Sequence, residues 1–545
     1  MKKLRAIQSA AGLIALTICT PVAGQALHRT PLGVDQGRID RAEPSAKTKS
    51  KLQQAKGKAA PSLATQASFT IKKISVQGAT SLSNTAELTK SFIGQEANVP
   101  NLTAAATAIA DAYKKMDVAF YTVEIADADS QTGQVIVAVK EAYVTDIVVE
   151  GDASAAWQRE VHKILDPLLL EKPLRRSSYE RTLALASDIA GLDVNASMQA
   201  SDVHGGIAFH LDVKRSKASA AIGFHNYGND LLGADTVEAA ARVTGLATVG
   251  DEFNLYYSSP TNFHRSLYVS ASYSIPLDST GTTLRVNGGL LRTRLLYDLL
   301  KGSAVQVGAV ISRALLRRFG RSLTASAGID FINLENALLG YRLTDDRTRA
   351  VRSSLHYMEE SARHRLDADV SLSLGVDALS ARGIAPLSQP EFTKVNARVD
   401  YARQIAARTL FRMKGIGQFS SARLPAAEQI AVGGSDFLRG LSAGLISGDK
   451  GVAASFEIAQ QPEMPRALAG TEFYAFADFA DVRYAQRGPF DAYTYRTSSL
   501  GAGARLRIAN RASVDMSGAK VIHSPYLGFT DTWRLALTAR IAFGG

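Results

Sequence analysis

From Lys217 to the end of the chain, apolar and non-apolar residues alternate position by position, segment after segment. Between His364 and Val376, one face holds Leu366, Ala368, Val370, Leu372, Leu374 and Val376. The other holds Arg365, Asp367, Asp369, Ser371 and Ser373. Leu323, Ala325, Ala327, Ile329 and Phe331 form a second such face, Leu267, Val269, Ala271, Tyr273 and Ile275 a third, and Val395, Ala397, Val399 and Tyr401 a fourth. The last segment sets Trp533, Leu535, Leu537, Ala539, Ile541 and Phe543 outward, against Arg534, Thr538 and Arg540. A period of two is that of a strand with unlike faces. Soluble sandwiches alternate too. Here the non-apolar face carries both charge signs, and the segments run about ten residues, as in tilted membrane strands around a watery lumen. At roughly 20 residues per strand and connection, the stretch predicts a transmembrane antiparallel β-barrel of about 16 strands.

Ahead of it the periodicity changes. Phe69 to Gln77 reads as a strand, followed by helical windows over Asn84 to Phe92 and Leu102 to Met116. In the second window Leu102, Ala105, Ile109, Ala112, Tyr113 and Met116 recur at helical spacing and make one apolar face. Strands Phe120 to Ile125 and Gln134 to Val139 complete a β-α-α-β-β unit. The same order then repeats: strand Tyr143 to Glu150, helices Ala155 to Leu165 and Ser177 to Ile189, strands Val194 to Ala200 and Ile207 to Val213. A tandem repeat is more informative than either copy. The predicted division is a leader at 1–26, a linker or plug segment at 27–67, α+β modules at 68–142 and 143–214, and the barrel at 215–545.

Composition changes this picture little. Mean hydropathy is −0.02, and after the first 30 positions no run is apolar enough for a membrane helix; alternating strands conceal their hydrophobicity in the average. Lys2, Lys3 and Arg5, an apolar stretch from Ala10 to Ala23, and Gly24-Gln25-Ala26 read as a secretory signal peptide. The only cysteine, Cys19, lies inside it, so the exported chain has no disulfide. The net charge of +11 divides into +3 in the leader, +5 in residues 27–67 and +3 in the rest, which gives no basis for a nucleic-acid partner. Residues Ala46 to Pro61, rich in Lys, Gln, Ala and Ser, read as a solvated tether or as a short helix over Lys47 to Lys58 that plugs a pore.

One region is chemically specific. Leu424 to Gly440 reads LPAAEQIAVGGSDFLRG, followed by Ile446-Ser447-Gly448-Asp449-Lys450-Gly451 and a strand containing Glu457. Phe476-Ala477-Asp478-Phe479-Ala480 lies further on. This order resembles two-partner secretion transporters of the outer membrane, the TpsB type of haemolysin secretion and activation. Gly433, Gly434, Leu438, Arg439 and Gly440 match the family's sixth extracellular loop, with Leu438 for the usual Val and Leu441 for the usual aromatic residue. Phe476, Asp478 and Ala480 match its Phe-x-Asp-x-Gly strand, with Ala480 for Gly. Asn226-Tyr227-Gly228, Gly233, Gly250-Asp251 and Tyr273 to Leu277 resemble its first barrel strands. The resemblance covers about residues 68 to 545 and identifies the repeated modules as POTRA domains, with Glu141 at their junction.

The resemblance implies that the loop folds back into the lumen and that Arg439 contacts Asp478 on the wall. Such a pair is charge-assisted and can be bidentate. Gly440 is expected to permit a turn that a side chain would block. Gly448, Asp449 and Glu457 form the motif after the loop, and Trp533 and Phe543 the C-terminal strand signal. Gly501-Ala502-Gly503 sits in an alternating strand and reads as room for a close neighbour. The sequence holds no HExxH, GxSxG or P-loop pattern, so no catalytic, cofactor or metal residue is assigned. His225, His264 and His356 have no metal-like neighbours. The implied partners are an unfolded secreted exoprotein of the TpsA type, outer-membrane lipids and lipopolysaccharide, and, during biogenesis, the barrel-assembly machinery and periplasmic chaperones. The implied place is the outer membrane, with the POTRA domains in the periplasm. An insertase of the same superfamily and a passive porin are the alternative readings.

Overall fold

The computed structural model describes residues 69–544, apart from 153, 204, 229–231, 296–297, 489, 509–510, 526–528 and 530–532, and, ahead of them, the backbone of Ala60–Pro61. The signal peptide and most of the linker expected at 27–67 lie outside the described residues. The α+β modules and the barrel are two separate compact units.

The first module contains β1 (Lys73–Gln77), α1 (Thr85–Thr89), α2 (Val99–Lys114), β2 (Tyr121–Asp129) and β3 (Gln134–Glu141). β3 is central, parallel to β1 and antiparallel to β2. Ala60–Pro61 runs parallel to Glu124–Ile125 on the far side of β2. The first strand is shorter than its sequence pattern: residues 69–71 bond instead to the 94–97 segment, through Ile71 N–H to Gln95 O and Ala97 N–H to Phe69 O. Helix α2 starts where the Asn98 side chain accepts the Asn101 N–H, with Pro100 in its first turn. It buries Leu102, Ala105, Ala106, Ile109, Ala110 and Tyr113, nearly the face read from spacing. That face covers Val123, Ile125, Val135 and Val137 of the sheet.

The second module repeats the plan with β4 (Tyr143–Asp152), α3 (Ala155–Leu165), α4 (Arg176–Ser187), β5 (Leu192–Ala200) and β6 (Gly206–Arg215), with β6 central. Its core includes Trp157, Val161, Tyr179, Phe209 and Leu211.

Sixteen strands then form a closed barrel. They are β7 (Ala218–His225), β8 (Thr236–Thr244), β9 (Glu252–Pro260), β10 (Ser266–Pro276), β11 (Thr282–Leu295) and β12 (Leu300–Arg318). β13 (Arg321–Leu338), β14 (Tyr341–Glu360), β15 (His364–Gly375), β16 (Phe392–Ala406) and β17 (Thr409–Ser420) follow. β18 (Lys450–Gln460), β19 (Glu472–Tyr484), β20 (Tyr493–Ile508), β21 (Ala512–His523) and β22 (Trp533–Phe543) complete it. Val370, Leu372, Leu374, Trp533, Leu535, Ile541 and Phe543 face outward and are exposed, as the alternation predicts. Strand length differs from the expected ten: it runs from 8 residues in β7 to 20 in β14. The long pair β13–β14 continues past the apolar band, and there the pattern inverts. Asn333 and Glu335 are exposed, while Ile332 and Leu334 turn inward onto Tyr268, Leu291 and Ala427.

The barrel closes where β22 pairs with β7, through the register Thr538↔His225 to Phe543↔Ala220. Asn226 extends this ladder with its side chain. Its amide donates to Leu535 O at 3.1 Å and accepts from Leu537 N–H at 2.7 Å. Gly250-Asp251 also finds its reason: the Asp251 carboxylate accepts the N–H groups of Leu246, Ala247 and Thr248 and the Tyr273 hydroxyl. Burial pushes this turn carboxyl up, but those bonds outweigh it and hold it at about 2.

Asn226→Ala would leave two backbone groups of the last strand unpaired, a loss of about 1–3 kcal/mol. The folded barrel of this variant should unfold at a lower temperature in detergent gels, whereas an unchanged midpoint would place the seam's strength elsewhere. In the first module the Glu141 carboxylate accepts from Thr80, Tyr113 and the Ser81 N–H. Burial raises its pKa, yet these bonds prevail and leave it below the usual 4.5. A carboxyl depressed on folding stabilises above its unfolded value and loses that stabilisation as pH falls through the folded one. Glu141→Gln should therefore weaken the module by about 1 kcal/mol at neutral pH, the carboxylate being part-exposed. The variant should also resist acid with less further loss; protease sensitivity in urea, at neutral pH and below pH 4.5, measures both.

Candidate functional site: the inner loop and its wall

Residues 421–449 join β17 to β18, the sixth connection at the long-loop end of the barrel. Both ends of the loop are clamped at one carboxylate. Asp449 accepts the Leu424 N–H and the Ala485 N–H, each at 2.8 Å, and pairs with the buried Arg487. Arg487 also donates to Leu424 O and Leu387 O, so one guanidinium ties three long-end loops. A short ladder, Ile430–Val432 against Ile446–Gly448, forms the stem of the loop. Gly448 must be small: a Cβ there would lie 2.5 Å from Arg483 O.

Beyond the stem the chain turns at Gly433 and Gly434, whose φ angles of 113° and 103° suit glycine. The tip then packs apolar side chains onto the inner wall. Phe437, Leu438 and Leu441 join Ile430, Val432 and Ile446 from the stem and Ala453, Ala480, Val482 and Val521 from the barrel. Leu438, Leu441 and Ala480, the three departures from the family pattern, are all buried in that cluster. The left-handed position of the tip is Leu438, at φ 54°. A bulky residue there stores about 1–3 kcal/mol of backbone strain, held by a side chain that is fully buried.

Gly440 lies in a turn closed by the Leu441 N–H to Leu438 O bond, and its backbone is not left-handed. It is needed for close approach: a Cβ would meet Val521 Cγ2 at 3.0 Å and Ser499 Cβ at 3.2 Å.

Arg439 sits between these residues and meets Asp478 across 39 positions of sequence. Its Nη2 donates to Asp478 Oδ1 at 3.0 Å and its Nε to Oδ2 at 3.2 Å, a bidentate fork. The Arg439 backbone N–H donates to the same carboxylate at 2.8 Å. Nη2 also reaches Ser455 Oγ at 2.8 Å, and Nη1 reaches Glu457 Oε2 at 3.1 Å. The Phe476 ring lies under the guanidinium, 3.3 Å from Cζ to its centroid. Strand periodicity explains the constellation. Phe476, Asp478 and Ala480 alternate inward on β19, and Ser455 and Glu457 do so on the adjacent β18. Arg439 is 6% exposed and Asp478 0%, so water screens this pair little.

The charge network continues along the wall. Arg412 bonds Glu457 and Glu472, and Arg505 bonds Glu472 and Asp515. Gly501 and Gly503 serve that wall rather than the loop. A Cβ at either would strike the Phe476 or Tyr474 ring, so the two glycines let these aromatic rings lie flat beneath Arg439 and Arg505. Trp533 and Phe543 lie on the outer face of β22, away from the loop. Among the described residues no cluster of side chains has the make-up of a metal site.

Sequence reading missed a second set of buried charges around Glu428, with Arg352, Lys394 and Asp330. The signal was present, since Glu428 lies in the loop motif and the others at inward positions of alternating strands. Their convergence crosses strands far apart in sequence. It also missed Arg487, a lone loop arginine without a motif.

Residues 206–506 match the sequence model of the family described as haemolysin secretion/activation protein ShlB/FhaC/HecB. The heme/hemopexin transporter protein HuxB of Haemophilus influenzae is 20% identical over 455 residues, 80% of this chain and 80% of that protein. CdiB from Escherichia coli has a similar fold, with a TM-score of 0.73 at 18% identity over 97% of this chain and 98% of that one. CdiB from Acinetobacter baumannii gives 0.65 at 16% identity over 96% and 99%. The family match spans more than half of the chain, both α+β modules precede a closed barrel of sixteen strands, and an arginine-led loop lies against an aspartate of the wall. This chain belongs to the ShlB/FhaC/HecB haemolysin secretion/activation family, the outer-membrane transporters of two-partner secretion.

Proposed function

We propose that the chain exports an unfolded exoprotein through its lumen, with the two POTRA modules as receptor and the inner loop as gate. Secretion of a partner protein across the outer membrane is the function of the family; the division of labour within the chain is our reading. The observation that carries it is Arg439. A guanidinium with a bidentate carboxylate, a second carboxylate, a hydroxyl and a ring beneath it holds a long loop inside the pore. A pore through which a polypeptide passes needs an obstruction that is firm at rest and releasable. A folded loop held by a few directional contacts meets both needs.

In this reading the modules lie in the periplasm and take the substrate by strand addition, which uses unpaired backbone groups at a sheet edge. The second sheet has β4 and β5 at its edges, and the first has β1 and the Ala60–Pro61 segment. Lipids and lipopolysaccharide contact the apolar outer face. The barrel-assembly machinery and periplasmic chaperones handle the chain before insertion, with Trp533 and Phe543 in the strand that is read. Folding of the exoprotein outside supplies direction.

Deleting residues 68–142 should abolish export of the exoprotein and leave a heat-modifiable barrel in the outer membrane. Normal export would place recognition elsewhere. Removing residues 27–67 should raise single-channel conductance if that segment plugs the pore and leave it unchanged if it is a tether.

Arg439→Ala should assemble but secrete poorly, since removing one member of a buried pair costs roughly 3–5 kcal/mol. The exchange Arg439→Asp with Asp478→Arg should recover little, because Asp at 439 would then face Glu457 and the hydrogen bond to Ser455 would be lost. Wild-type secretion by Arg439→Ala would remove this contact from the export mechanism, and full recovery by the exchange would show that charge alone suffices.

A further inference from the structure

Besides Arg439, the Asp436–Lys414 pair of the tip and the Asp449–Arg487 clamp at its ends, the loop has a further ionic anchor at the foot of its stem. Arg439 binds to β18 and β19. Glu428, at the foot of the stem, points instead to the strands that precede the loop. Its Oε1 accepts from Arg352 Nη2 of β14 at 2.6 Å, and its Oε2 from Lys394 Nζ of β16 at 2.5 Å. Its carbonyl accepts from Lys394 Nζ at 3.1 Å and from Gln418 Nε2 of β17 at 3.0 Å. Arg352 is shared with Asp330 of β13 at 3.0 Å and Ser373 of β15 at 2.9 Å. Glu428 is 1% exposed and Lys394 2%.

A lysine this deeply buried occurs only when paired. The four charges, Glu428 and Asp330 against Arg352 and Lys394, sum to zero. Without Glu428 the wall would hold two cations and one carboxylate in a buried site, so the wall is built to receive this one side chain from the loop. Between the two anchors the chain passes through Gly433 and Gly434, and it returns through Gly444 at φ 63°. The joints between stem and tip are therefore glycines, and each rigid part has its own set of charges.

We infer that Glu428 is a positioning residue, a second latch that holds the stem of the loop to β14 and β16 independently of Arg439. The tip can then leave the wall during export while the stem stays seated, and the stem clears the pore only if the Glu428 latch opens as well. This rests on the reading of the loop as a gate.

The test uses the full-length protein, with amide hydrogen exchange and planar-bilayer conductance in potassium chloride as the two readouts. Glu428→Gln should speed exchange in residues 424–432 about tenfold or more, the effect of losing a buried charge-assisted bond, with the barrel strands still protected. Arg439→Ala should speed exchange in 433–444 and leave 424–432 protected. Channel openings should become more frequent in each variant, and larger in the double variant. Because Glu428→Gln leaves excess positive charge, Glu428→Gln with Lys394→Met provides a neutral second variant, which should assemble and show the same loosened stem.

The inference is overturned if either Glu428 variant assembles with a stem as protected as wild type. It is equally overturned if Arg439→Ala alone frees the stem, or if neither Glu428 variant gives a heat-modifiable barrel, which would make Glu428 a folding residue. A loosened stem with unchanged conductance would leave the latch standing and sink the gate reading.

Discussion

Inside a bilayer no water is available to an unpaired backbone N–H or C=O, so a sheet that crosses it must have no edge. Every other feature of the barrel follows from that closure. Sixteen strands pair in sequence until the last meets the first. Where the seam is shortest, the Asn226 side-chain amide serves as a further rung. Closure also fixes which side chains share the lumen. The strand period of two sends every second residue inward, and a polar interior then allows carboxylates and guanidinium groups that an apolar core would exclude.

That interior is where the loop is held. Its charges are compensated group by group rather than spread as a general field. Arg439 meets Asp478 and Glu457, Glu428 meets Arg352 and Lys394, and Asp449 meets Arg487. Pairs of this kind add little net stability, because the desolvation of both ions opposes their attraction. Their effect is on position: an arginine with fixed fork geometry accepts one arrangement of partners and few others. Apolar packing of Leu438 and Leu441 against Ala480 and Val521 supplies attraction without direction, and the ion pairs supply direction. A loop held this way is fixed in place by a few identifiable bonds.

The two α+β modules are stabilised by different physics. Each has an ordinary apolar core under its helices, and each sheet is open, with a strand at either edge. The barrel cannot tolerate such edges in lipid. In water such edges can be solvated, and strand addition at a sheet edge is a general mode of peptide recognition.

The sequence by itself determined the periodic part of this protein. Alternation over Leu366 to Val376 set the outward and inward faces of β15, because side chains on a pleated strand have no other choice. Helical spacing from Leu102 to Tyr113 set the buried face of α2 for the same kind of local reason. The order of the loop and wall motifs, read by resemblance, brought Arg439 and Asp478 to attention together. Strand lengths were misjudged, since β13 and β14 run beyond the apolar band and invert their pattern there. That Gly440 stands where a side chain would be blocked is legible in the motif, but what blocks it, Val521 and Ser499, depends on where the wall is. The tertiary structure alone decided the convergence of Glu428, Arg352, Lys394 and Asp330, and the three-loop clamp at Arg487. Periodicity reports which face a residue occupies. It carries no information about which distant residue stands opposite, and that is fixed only when the strands have closed and the loop has folded into the space they leave.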